Sequence, residues 1–102
     1  MSRRDFACLV KMQKVVFALE RTIELLEKSE DSMWTETTVA EAKEILEDQL
    51  NSLKTTGSFG FLGKGRIKAL FLPTGVLQEI SITNDWDEEY LEVSRVIDRY
   101  TK

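Results

Sequence analysis

Histidine is missing from this chain, cysteine and proline occur once each, and no apolar run exceeds five residues. Each absence excludes a class of chemistry. Without histidine there is no histidine-assisted serine or cysteine nucleophile, no histidine-ligated zinc, and no side chain that titrates unperturbed near neutral pH. A lone cysteine, Cys8, rules out an intramolecular disulfide and every multi-cysteine metal site. The short apolar runs fall far below the roughly 18 residues that span a bilayer, and Met1-Ser2-Arg3-Arg4 leads into no signal-type apolar core. The expectation is a cytoplasmic protein with no membrane association.

A further scarcity is local. Between Gln49 and Gln78 there is no Asp or Glu, although the 102-residue chain has 18 acids against 14 Lys and Arg. Lys54, Lys64, Arg66 and Lys68 lie in that window, so its charge is +4 and that of the remainder −8. Gly57, Gly60, Gly63 and Gly65 lie there too, which makes residues 55–66 a glycine-rich basic loop. The rest has ordinary globular composition, 42% hydrophobic and 31% charged, and reads as one small domain over residues 1–102.

Residues 4–28 read as one long helix. At 100° per residue Cys8, Leu9, Met12, Val15, Val16, Leu19, Ile23 and Leu26 form one stripe, while Phe6, Val10 and Phe17 gather on the opposite side. This second stripe predicts a helix covered on two sides, by the last helix or by a second copy of the chain. A polar connection follows, and then a helix over residues 35–54 with the capping-box pair Thr38 and Glu41 and the stop signal Lys54 and Gly57. Ile67 to Leu72 and Val76 to Ile82 flank Pro73-Thr74-Gly75, and the alternation of Val76, Ile80 and Ile82 reads as a β-hairpin over residues 67–82. A last helix over residues 84–100 opens on Asn84, Asp85, Asp87, Glu88 and Glu89, and carries Trp86, Tyr90, Val93, Ile97 and Tyr100 on one face. The expected class is therefore α+β, mainly α: a helical hairpin, a short β-hairpin and a packing C-terminal helix.

The glycine loop is no Walker loop. Ser58 stands where the first glycine is needed, and Gly65 where the magnesium-binding hydroxyl is needed. Lys64, Arg66 and Lys68 with Phe59 and Phe61 are the candidate binding residues. The plainer reading is that Phe59, Phe61 and Leu62 fold back as a plug over the helices. Four cations in an acidic chain are a thin footprint for nucleic acid, and the surrounding negative charge argues against it. The acids of the helices read as solvated faces. Asp85 to Glu89 lack the spacing of a calcium loop, so neither a metal nor a cofactor is expected.

Trp34 and Trp86 read as core or interface anchors, and Cys8 as a small buried hydrophobe. No motif assigns the chain to a family. The resulting expectation is a non-enzymatic protein-interaction or regulatory domain that acts by contact, in the manner of an immunity protein or antitoxin, with a protein partner or as a homodimer through Phe6, Val10 and Phe17. The alternative is a module that binds phosphate or another small anion at the basic loop.

Overall fold

A computed structural model describes residues 3–33, 35–60, 63–71 and 75–101, and side chains from Met12 to Tyr100 within those ranges. Five helices follow one another: α1 (Arg3–Glu27), α2 (Val39–Thr56), α3 (Gly63–Leu70), α4 (Val76–Thr83) and α5 (Asp87–Thr101).

On α1, Val15, Ala18, Leu19, Thr22, Ile23 and Leu26 are buried. Thr22 is accommodated there because its hydroxyl donates to the Ala18 carbonyl at 2.7 Å. α2 packs along one flank of this stripe and α5 along the other. Both run antiparallel to α1: Lys43 of α2 meets Glu27, Lys54 meets Glu20, and the Trp86 indole N–H ahead of α5 donates to Ser29 beyond the end of α1. α1 therefore lies between two partners, yet neither covers Phe17, which is 71% exposed. Within the chain, then, the second side of α1 is uncovered at this residue. Phe6 and Val10 lie outside the described side chains, as does Cys8.

α2 begins and ends by local chemistry. Thr38 accepts the Glu41 N–H at 3.1 Å, and its hydroxyl donates to the Glu41 carboxylate at 3.2 Å. The expected reciprocal bond from Glu41 thus ends on the Thr38 hydroxyl. At the far end Gly57 takes a left-handed φ of 79°, and its N–H reaches the Leu53 carbonyl, a geometry that glycine adopts at little cost.

The β-hairpin does not form. No strand occurs among the described residues, and the segment is instead the helix pair α3 and α4, so the chain is mainly α and not α+β. Ile67, Leu70 and Phe71 recur at helical intervals, as do Leu77 with Ile80 and Ser81, and Ile67, Leu77 and Ile80 are fully buried. The two-residue alternation of Val76, Ile80 and Ile82 passes over Leu77, a core residue, and puts Ile82, 51% exposed, on the buried side. Burial of the helical face outweighs the weak strand pattern. Pro73 and Thr74 lie outside the described residues.

The start of α5 also departs from expectation. Asn84 does not cap α5: its amide donates to the Ile80 and Glu30 carbonyls, and its carbonyl accepts the Glu30 N–H. It closes α4 and ties the α4–α5 turn to the connection after α1. Trp86, buried, accepts the Tyr90 N–H through its backbone carbonyl and so opens α5.

Candidate interaction site

The antiparallel packing brings the start of α1, the end of α2, the glycine loop, the start of α3 and the end of α5 to one end of an elongated molecule 48 Å in its longest dimension. The junctions are specific. Gln49 of α2, 7% exposed, accepts the Gly60 N–H at 3.0 Å, and the Gly63 N–H donates to the Gly60 carbonyl at 2.7 Å. A Cβ at Gly63 would overlap the Gln49 amide, so a larger residue there would have to swing the end of that side chain aside and break its bond to Gly60. Phe59, half-buried against the core, meets the Tyr100 ring edge-on with centroids 5.7 Å apart. Together Ser58, Phe59, Gly60, Gly63, Lys64 and Tyr100 line an open cleft of about 400 Å³.

Charge segregates along the same axis. The end that holds the loop has Lys14 on α1, Lys54 on α2, Lys64 and Arg66 on α3, and Arg95 and Arg99 on α5, with Asp98 and Glu20, which binds Lys54, among its acids. The opposite end gathers Glu27, Glu30, Asp31, Glu36, Glu41, Glu44, Asp85, Asp87 and Glu88, with Lys28 and Lys43 as its cations. Residues 14 and 27 of α1 are separated by about 20 Å at helical rise, more than two Debye lengths of about 8 Å at physiological salt. The exposed cations of the described residues thus gather towards the end that holds the loop, and the acids are most dense at the other.

Of the residues marked out in the sequence, Lys64, Arg66 and Lys68 sit exposed on α3, and no ion pair holds them among the described residues. The acidic start of α5 does not reach them. Its Glu89 instead binds Arg21 at 2.7 Å, and that hydrogen bond, followed by the charge of Glu89, raises the guanidinium pKa further above its ordinary value. Lys64 and Lys68 share one face of α3 and Arg66 lies on the other, because two residues turn a helix by about 200°. Phe59 behaves as the plug expected of it, and Phe61 lies outside the described residues. Tyr100, read from the sequence only as a core position, proves to be a wall of the cleft. No sequence signal distinguishes it, because the loop that meets it is distant in the chain.

Among the described residues there is no group of three or more acidic or cysteine side chains placed to hold a metal, and no helix long and apolar enough to cross a membrane. No protein-family model matches the chain, and no curated protein or solved structure is similar enough to lend it a function.

Proposed function

We propose that this chain is a small non-enzymatic interaction domain that docks an acidic macromolecular surface, in the first instance a protein, through the positive pole around α3. The single observation that carries the reading is the exposed set Lys64, Arg66 and Lys68, which make no ion pair among the described residues while Arg21, Lys43 and Lys54 are paired. Rigid attachment of α3 supports it, since Ile67 and Leu70 are buried and Gln49 pins the loop. The small-anion alternative is less well served. The three cations straddle the helix, which suits an extended surface and leaves Lys64 as the cation that lines the cleft. Docking by this pole also favours an acidic partner over the basic one that an immunity-like or antitoxin-like mask would take.

The test is affinity purification from the cells that make the protein, with wild type, the triple variant Lys64→Gln/Arg66→Gln/Lys68→Gln, and Lys28→Gln/Lys43→Gln as the control at the other pole. A partner lost with the triple variant and retained with the control supports the reading. Equal recovery with all three forms, or recovery with none, rejects it.

A further inference from the structure

Two aromatic rings and a cation meet in the cleft beside the start of α3. Phe59 and Tyr100 stand edge to face with centroids 5.7 Å apart, and both are half-buried, so each ring keeps part of its surface in the opening. The loop that carries Phe59 is fastened on both sides of it. The Ser52 hydroxyl donates to the Ser58 carbonyl at 2.8 Å, Gln49 accepts the Gly60 N–H at 3.0 Å, and the Gly63 N–H donates to the Gly60 carbonyl. A cleft fixed before its partner arrives binds with little ordering cost. Its volume of about 400 Å³ lies in the range of sites that take a small ligand, which suits one large side chain and not a folded surface. Aromatic side chains seated in such pockets carry most of the energy of many interfaces.

Cations lead away from this cleft. Lys64 lines it, and Lys68, one turn on and on the same face of α3, follows after a rise of about 6 Å. An extended chain repeats its side chains on one side every two residues, about 7 Å apart, which is nearly the same step. A segment laid along α3 therefore sets alternate side chains over the cleft, Lys64 and Lys68 in turn. Arg66 on the other face of α3, and Arg99 next to Tyr100 in the chain, are exposed and make no ion pair among the described residues.

We propose that the partner docks through an extended acidic segment with one aromatic residue, whose ring seats against Phe59 and Tyr100 while carboxylates two and four residues along meet Lys64 and Lys68. This rests on the docking role of the α3 cations and adds to it the anchor and the linear form of what they bind. A single-stranded nucleic acid shares the need for rings and cations. Such chains, however, are held by several rings stacked on successive bases, and the described residues offer one ring pair at this end, with Glu20 and Asp98 near it.

The test is an NMR titration of the isotopically labelled full-length protein with short peptides that alternate Glu and Ser about a central Phe, or about a central Ala. The Phe peptide is expected to move the amides of Gly60, Gly63, Lys64 and Tyr100 and to bind about tenfold more tightly than the Ala peptide. Both should lose affinity for Lys64→Gln/Arg66→Gln/Lys68→Gln. Tyr100→Ala, which removes one wall, should bring the Phe peptide to the affinity of the Ala peptide; if that variant does not fold by circular dichroism, Ser58→Trp, which fills the opening from an exposed loop position, replaces it. Equal affinity for the two peptides, both weakened by the triple variant, overturns the anchor and leaves the α3 reading standing. A preference for Phe that the triple variant does not weaken overturns the proposal and counts against the α3 reading as well. Absence of binding by either peptide at about millimolar concentration also overturns it. So does a thymidine oligonucleotide that moves the same amides and binds more tightly than the Phe peptide, which would assign the cleft to nucleic acid.

Discussion

Replacing Gly63 by alanine tests whether the glycine loop is positioned by contact with α2. The added Cβ would overlap the Gln49 amide, which is 7% exposed and hydrogen-bonded to Gly60. Forcing an extra carbon into a packed site costs about 1–3 kcal/mol. Displacing Gln49 also strips the Gly60 N–H of its acceptor, for about 1 kcal/mol more. Alanine returns less than about 1 kcal/mol of helix propensity at a first-turn position. The net expectation is a loss of about 1–4 kcal/mol, which lowers the melting temperature of a domain this size by roughly 5–25 °C. Thermal and urea denaturation measure it. Gln49→Ala removes the obstruction, so the double variant should be more stable than the sum of the two single losses, with a coupling of about 1–2 kcal/mol. A Gly63→Ala protein as stable as wild type, or strictly additive losses, would refute the reasoning.

Tyr90 is buried and stacked on Phe71 at 6.1 Å, and burial pushes its hydroxyl pKa up from 10.0 to about 12. Between those values the folded state holds the proton that the unfolded state has released, so stability is full below pH 10 and falls by about 2–3 kcal/mol as pH rises through 12. Urea unfolding at pH 9 and 11.5 reads the loss, which Tyr90→Phe should abolish. Asp85 has a φ of 62°, a region that Asp tolerates and β-branched residues resist; Asp85→Val should therefore cost about 1–3 kcal/mol in chemical denaturation, and Asp85→Gly should be neutral or stabilising. Trp86 is 6% exposed and donates to Ser29 at 2.8 Å. Trp86→Phe should cost about 1–2 kcal/mol through the lost bond and the space left behind, and should quicken amide exchange at Glu30, whose N–H is held on the same junction.

How much of this was legible in the sequence depended on whether the information was local. The Thr38–Glu41 start and the Gly57 stop of α2 are short-range chemistry, and both stand in the structure. The core stripe through Val15, Leu19, Ile23 and Leu26 likewise follows from helical period alone. The α3–α4 pair was misread because two short segments around Pro73 and Gly75 carry too few turns for the period to show, and Leu77 lost out to an alternating pattern. The basic loop was visible as composition. Its setting was not, since the Gln49, Phe59 and Tyr100 contacts join distant parts of the chain. The charge argument against polyanion binding averaged over the whole sequence, whereas the antiparallel packing sorts the charges to opposite ends.

That sorting is the central claim, and it is measured most directly by the near-surface electrostatic potential at individual amides, obtained from relaxation enhancement by cationic and anionic paramagnetic cosolutes in NMR. Amides near Lys14, Lys54, Lys64, Arg66 and Arg99 should be relaxed more by the anionic probe, and those near Glu30, Glu36, Asp85 and Asp87 more by the cationic one. A potential that is negative at both ends, as the net charge of −4 alone would suggest, would contradict the account.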